Sequence, residues 1–369
     1  MFIKLVEEMH KRGMRVILDG VFNHCGSFNK WMDRERIYEN QEGYPKGAYI
    51  SADSPYRYYF NFYDENRWPY NPTYDGWWTH DTLPKLNYEA SRDLYDKILE
   101  IGKKWVSAPY NVDGWRLDVA ADLGHSNEFN HQFWKDFRKA VKEANPNAII
   151  LAEHYGNPES WLQGDEWDTV MNYPFYLNLI DLLADEKITV SQFVQNLGYL
   201  KGRLHKNCYP LMWNLIDSHD TARFLHLCND NKKKQHLAAA FQLLLPGMPM
   251  IYYGDEYAMP GANDPDCRRG MYWDEEYQDK EMYEWYKRLI QVRKSHACIV
   301  EGELAGSVTE DEEGTIVLIR KNGEETIAMI FNCSSSAKKF NEYTQKYNLL
   351  TENTFDGNVE GFDAAVIVL

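Results

Sequence analysis

Four short apolar runs in this chain end at a carboxylate, and that recurrence limits the folds open to it. Asp19 follows MRVIL, Glu153 follows AIILA, and Asp220 lies just beyond LMWNLI with His219 beside it. The fourth run, NVDGWRLDVA at 111–120, alternates Trp115, Leu117 and Val119 with Arg116 and Asp118. Such alternation puts Arg116 and Asp118 on one side of a strand. A single Arg-x-Asp is as readily a salt bridge inside a barrel layer as a functional pair. Four acids at the ends of four separate strands instead suit a (β/α) barrel, which builds its site from strand ends far apart in sequence.

The segments between these runs carry helical spacing. Leu94, Ile98, Ile101 and Trp105 mark a helix over 91–106, and Phe133, Trp134, Phe137 and Val141 mark another over 131–144. Further helices are predicted around 174–184, 191–205, 234–245 and 281–294. Strands are predicted at 14–18, 112–117, 148–152, 167–171, 211–216 and 250–253. Regular alternation of this kind gives parallel strands joined by right-handed crossovers. A closed barrel needs eight strands, and six leave an edge uncovered. Phe2, Leu5, Val6 and Met9 make residues 1–12 an amphipathic helix, ended by Gly13 with no strand before it. The expectation is therefore an incomplete barrel preceded by further sequence, or completed by another segment or a second copy of the chain.

The sixty or so residues after His24 contain few long apolar runs and many Tyr, Trp, Asn, Pro and Asp. A bare loop of that length is improbable in a compact domain, so 25–88 is read as an inserted subdomain. Trp68, Tyr74, Trp77 and Trp78 either pack that insertion or line a groove. After the last helix the period changes: GTIVLIR, ETIAMIFN and AAVIVL are short β-rich runs between turn residues. They predict an antiparallel sandwich over 298–369, leaving 1–297 for the barrel and its insertion.

Composition removes several function classes. A net charge of -16, from 56 acidic and 40 basic residues, opposes nucleic acid as the main partner. No apolar run approaches the ~20 residues of a membrane span. The six cysteines show neither CxxC spacing nor the density of a disulfide scaffold. Free thiols favour a reducing, cytoplasmic compartment, with an extracellular one left open.

DGVFNH at 19–24, GWRLDVA at 114–120, LAEHYG at 151–156 and SHDTAR at 218–223 stand in the order of four motifs of one known family. LPKLN at 83–87 and GMPMIYYGDE at 247–256 match two more. On these residues the chain resembles the alpha-amylase family, glycoside hydrolase family 13, and within it the neopullulanase, cyclomaltodextrinase and maltogenic amylase group. The resemblance implies an α/β fold: a TIM (β/α)8-type barrel lacking its first two strands, with an inserted subdomain and a carboxy-terminal β-sandwich. It also implies a retaining glycosidase acting on alpha-1,4 or alpha-1,6 bonds of maltodextrins, cyclodextrins or pullulan. The other reading is a noncatalytic alpha-glucan-binding remnant of such an enzyme.

By the same resemblance Asp118 is the nucleophile, Glu153 the general acid and then base, and Asp220 the third carboxylate. His24, Lys85, Asn87, Arg116, His219 and Arg223 are implied substrate-binding residues, and Asp19 a structural support for Arg116. A retaining mechanism places the Asp118 and Glu153 carboxyls roughly 5–5.5 Å apart. Ala121 and Asp122 stand where many relatives have Asn-Glu, and His154-Tyr155 where many have Ile-Trp. These departures leave linkage preference, and hydrolysis against transfer, open. No cofactor is required. His24, Cys25, Glu153, His154 and His219 include potential zinc ligands but no HExxH or paired-cysteine pattern. Calcium is left open, since Asn and Asp abound in the insertion without a regular oxygen-ligand loop.

Overall fold

The computed structural model describes residues 1–205 and 207–369. The chain forms two compact units, Met1–His154 with Ser160–Val170, and Tyr155–Glu159 with Met171–Leu369.

The first unit holds a parallel sheet of four strands in the order β1 (Ile17–Gly20), β2 (Gly114–Leu117), β3 (Ile149–Ala152) and β4 (Thr169–Val170). Helix α1 (Phe2–Lys11) precedes β1, α2 (Arg92–Val106) precedes β2, and α3 (Asn127–Ala144) joins β2 to β3. Ser91 and Ser126 cap α2 and α3, each hydroxyl accepting the N–H three residues on. The cap at Ser126 starts α3 four residues before the predicted 131, taking in Phe129, which stands one turn before Phe133 and packs on Tyr95. Phe133, Trp134, Phe137 and Val141 of α3 and Leu94 and Ile98 of α2 are buried as their spacing requires. Gly114 is needed where β2 meets β3, since a Cβ there would stand 2.3 Å from the Ile149 carbonyl oxygen.

Strand β1 begins three residues later than the predicted 14–18. Met14 N still bonds back to Met9 O, and Gly13 turns with a positive φ, so the chain becomes extended only at Ile17. Asp19 consequently lies inside β1, directly opposite Arg116 in the ladder.

The insertion at 25–88 has short 3-10 turns at Arg57–Tyr59 and Trp77–Thr79, and isolated bridges such as Phe62 with Tyr74 and His24 with Lys85. Its interior is built on a buried Arg57 guanidinium set 4.7 Å from the Phe62 ring and 4.6 Å from the Trp68 ring. The two rings lie 4.8 Å from each other, so cation and rings form one cluster in an insertion that also buries Met32, Ile50 and Leu86.

The second unit contains parallel strands β5 (Trp213–Asn214) and β6 (Met248–Pro249), with Met171 bridged in parallel to Trp213. The last barrel strand was predicted at 250–253. It pairs earlier because Met248 N and Met250 N donate to Met212 O and Asn214 O, after which Asp255 N returns to Tyr252 O in a turn. The helices are α4 (Tyr173–Leu179), α5 (Val190–Arg203), α6 (Phe224–Leu227), α7 (Lys232–Leu244), α8 (Lys280–Ser295) and α9 (Cys298–Glu301). Then come β7 (Glu303–Glu310), β8 (Thr315–Asn322), β9 (Glu325–Asn332), β10 (Lys338–Lys339), β11 (Tyr347–Asn348), β12 (Asn353–Thr354), β13 (Asn358–Val359) and β14 (Asp363–Val368).

Six of these form an antiparallel sheet, ordered β12-β11-β14-β9-β8-β7, while β10 pairs with β13. Alternate residues serve two cores. Ile316, Leu318, Ile327, Met329 and Val366 join Leu237, Phe241, Leu244 and Leu289 of α7 and α8, whereas Val317, Ala328, Ile330 and Ile367 pack with Phe340 and Val359. Helices and sheet thus share one core, which is why the second unit runs across the 297/298 boundary of the sequence reading. Parallel strands with intervening helices, an insertion after β1 and a carboxy-terminal antiparallel sandwich make up the expected TIM-type architecture. Among the described residues no helix is long and apolar enough to cross a membrane.

Candidate active site

In the first unit the ends of β1, β2 and β3 converge on one guanidinium. Arg116 Nη1 donates to Asp118 Oδ1 at 2.7 Å and to Asp19 Oδ1 at 2.9 Å, and Nη2 lies 3.1 Å from Glu153 Oε2. The Nη2 contact is an ion pair without hydrogen-bond alignment. The Arg116 side chain is 11% exposed and the Glu153 side chain 7%, while that of Asp19 is 54% exposed. Burial works against the charged guanidinium, but the Glu153, Asp19 and Asp118 carboxylates outweigh it and raise the Arg116 pKa. Arg116 was expected to bind substrate. Three carboxylates surround its guanidinium, two of them hydrogen-bonded to Nη1, so it organises the acids, with Asp19 as its outer support.

Backbone geometry fixes the two inner acids. Asp118 N donates to Gly20 O, and Glu153 N to Leu117 O, so each acid continues its strand by one residue. Val119 then turns into the left-handed region at φ 46°, a costly conformation for a β-branched residue. In that conformation its N–H donates to Glu153 Oε2 at 2.9 Å. The strained residue therefore links the backbone beside Asp118 to the side chain of Glu153.

His24 and Lys85 meet in the antiparallel bridge that closes the insertion. The His24 ring lies parallel to Trp77 within 5°, with centroids 6.4 Å apart, and Trp78 stacks on Trp77 at 5.6 Å. Trp78 is 75% exposed, leaving an aromatic face open to solvent. Lys85 Nζ donates to Asn23 Oδ1 at 2.6 Å and to the Asp122 carbonyl at 2.5 Å, and stands 5.4 Å over Trp77. Burial lowers the Lys85 pKa. Burial also lowers that of His24, with Asp118 opposing and Lys85 assisting. Asn87, the other expected substrate-binding residue of LPKLN, accepts the Ala90 N–H on its side-chain oxygen at 3.2 Å and so braces the turn before α2. Trp68 and Tyr74 belong to the interior of the insertion: Trp68 Nε1 donates to Ala48 O, and the Tyr74 hydroxyl to Asp81 O.

The second unit holds His219 and Asp220. His219 Nε2 lies 3.1 Å from Asp220 Oδ2, and Arg268 Nη2 donates to Asp220 Oδ1 at 2.9 Å. Sequence reading missed Arg268, which stands 48 residues from its partner; the adjacent Arg268-Arg269 pair after the GMPMIYYGDE motif was the available sign. Arg223, expected to bind substrate, is only 1% exposed in its side chain. It donates to Asp255 Oδ1 and Cys267 O and lies against Tyr252 and Tyr253, so it serves the interior. Among the described residues no three His, Cys, Asp or Glu side chains are grouped so as to hold a metal ion.

A family model described as alpha amylase, catalytic domain, matches residues 1–302. A cyclomaltodextrinase of Geobacillus thermopakistaniensis (strain MAS1) is 38% identical over 339 residues, covering 90% of this chain and 53% of that protein. An intracellular maltogenic amylase of Bacillus subtilis (strain 168) is 36% identical over 336 residues, covering 90% and 53%. Among solved structures, the ligand-free cyclic alpha-maltosyl-(1→6)-maltose hydrolase of Arthrobacter globiformis superposes with a TM-score of 0.83 at 29% identity, over 100% of this chain and 78% of that one. The chain spans about half the length of the curated relatives it matches. Strand-end acids gathered on Arg116, a matching catalytic-domain model over most of the chain and relatives aligned along nine-tenths of it all agree: the chain belongs to the alpha-amylase family of glycoside hydrolases.

Proposed function

We propose that this protein cleaves alpha-linked glucans by a retaining double displacement, with maltodextrins, cyclodextrins and pullulan as its substrates. The observation that carries this is the approach of Asp118 and Glu153, on adjacent strand ends, to a single Arg116 guanidinium. Two carboxyls in so small a space are what cleavage of an acetal requires.

Asp118 attacks the anomeric carbon while Glu153 gives its proton to the leaving glycosidic oxygen. Glu153 then takes a proton from water, which displaces Asp118 from the glycosyl ester and restores the original anomeric configuration. The charge-assisted hydrogen bond from Arg116 aligns the Asp118 carboxylate for attack. Asp220, held by Arg268, binds sugar hydroxyls and steadies the distorted ring. His24 binds hydroxyls of the sugar beside the cleaved bond, Trp77 and Trp78 offer stacking faces, and His219 is a further hydroxyl-binding side chain. This chemistry calls on side chains alone and requires no cofactor. The names of the relatives, cyclomaltodextrinase and intracellular maltogenic amylase, support the substrate class and a cytoplasmic location.

Rates on equal concentrations of maltotriose, β-cyclodextrin, pullulan, soluble starch and cellotetraose test the assignment, with Glu153→Gln as background. Glu153-dependent reducing ends from the alpha-glucans are expected. Binding without turnover identifies a noncatalytic glucan-binding protein, and cleavage confined to cellotetraose rejects the linkage class.

A further inference from the structure

Three residues before Asp220 stands a second acid, fully buried, that the mechanism does not use. Asp217 Oδ2 accepts the Phe224 N–H at 2.7 Å and so closes the segment 217–224 that carries His219 and Asp220. Inside that segment Ser218 N donates to Thr221 Oγ1 at 2.9 Å, and Asp220 N to Ser218 Oγ at 3.2 Å. Arg223 donates through Nη1 to the equally buried Asp255 at 3.2 Å and through Nε to Cys267 O at 3.2 Å. Cys267 in turn donates Sγ–H to His219 O at 3.2 Å, and the next residue, Arg268, holds Asp220. One buried group therefore ties both chain segments that hold Asp220.

The charges of that group do not balance. Two carboxylates face one guanidinium where water does not reach, and a net buried charge is strongly disfavoured. Asp217 Oδ1, Arg223 Nη2, the Tyr286 hydroxyl and Gln235 Oε1 have no hydrogen-bond partner among the described residues. A carboxylate oxygen left over beside a second carboxyl is satisfied when one proton joins them.

We propose that Asp217 and Asp255 share one proton and, with Arg223, form a positioning group that fixes the segment bearing His219 and Asp220. Burial raises the pKa of both acids, Asp217 to about 6 and Asp255 also well upward, with Arg223 opposing in each case. The other groups facing the pair are Glu256, Tyr252 and Tyr253 from the turn of Asp255, and Tyr286 from α8. Gln235 of α7 donates Nε2–H to the Asp255 carbonyl at 3.0 Å. Because the folded state raises these pKa values, the stability they give is complete at low pH and is lost as pH rises through them. The catalytic half of the proposal rests on the role given to Asp220, whereas the shared proton does not.

Two measurements separate those halves. Asp255→Asn puts a neutral group where the proton sits, so its urea midpoint relative to the wild type climbs as pH is raised from about 4, the ordinary carboxylate value, through the raised pKa of the pair, and levels off above it. A difference that stays constant with pH overturns the shared proton. For positioning, Asp217→Ala lowers kcat about tenfold with KM nearly unchanged, and Asp217→Asn, whose amide oxygen still accepts the Phe224 N–H, recovers most of the loss. Equal kcat in wild type, Asn and Ala variants overturns positioning. Should the wild type turn over no alpha-glucan, the enzymatic reading fails with it, while the midpoint comparison still decides the buried pair.

Discussion

Arg116 Nη1 lies 2.7 Å from Asp118 Oδ1, although the two residues sit on the same strand end only two positions apart. A strand normally sends such side chains parallel to each other. Here the chain leaves β2 at Leu117, and Val119 turns left-handed, so Asp118 stands where the guanidinium reaches it. The same nitrogen meets Asp19 on β1, and the other lies beside Glu153 after β3. One cation therefore registers three strands and sets the spacing of the acids.

Asp118→Asn keeps the side-chain shape and removes the nucleophile. We expect kcat to fall by on the order of 10⁴-fold with glucan binding largely kept. An activated fluorosugar should trap a glycosyl ester on Asp118 of the wild type. An adduct found on Asp220 by peptide mass spectrometry reverses the assigned roles.

Arg268→Ala tests the contact that sequence reading missed. The Arg268 to Asp220 pair is partly exposed, so its loss should change stability by less than about 1 kcal/mol. Its effect should fall on kcat, about tenfold, because Asp220 loses the donor that orients it. Unaltered kcat together with unaltered stability removes Arg268 from the site.

The insertion's tryptophans separate into two kinds. Trp68→Ala opens the interior around Arg57 and should cost about 2 kcal/mol in urea unfolding. Trp78→Ala alters an exposed ring and should leave stability within ~0.5 kcal/mol while raising KM for maltotriose. A Trp78 variant with wild-type KM on every alpha-glucan rules that ring out as a sugar platform.

Burial, with Lys85 adding to it and Asp118 opposing, holds His24 below its ordinary 6.5. The folded protein thus prefers the neutral ring, which offers a sugar hydroxyl one donor and one acceptor. Stability tied to that neutral ring is present above 6.5 and is lost as pH falls through the lowered value. NMR titration of labelled histidine, with His24→Gln for assignment, should place the transition below 6.5. A midpoint above 6.5 would falsify the burial argument.

The succession of parallel strands, the place of Asp118 and Glu153 just beyond two of them and the change to antiparallel strands after the helix at 281–294 were legible from the chain alone. Each is written in a local pattern: an apolar run, a period, a turn residue. Strand ends were less legible, as β1 and β6 show, because the pairing partner decides where extension starts and stops. Sequence pointed to Arg223, the last residue of SHDTAR, and passed over Arg268, which lies beyond the GMPMIYYGDE motif. Packing sent the first between Tyr252, Tyr253 and Asp255 and the second to Asp220, across 48 residues of chain. Trp68 and Trp78 read as equal candidates until Arg57 claimed one ring and solvent the other. Sequence determined which groups exist and on which elements they stand. Tertiary structure decided their burial and their partners, because a side chain's charge balance and exposure depend on neighbours that the local pattern does not contain.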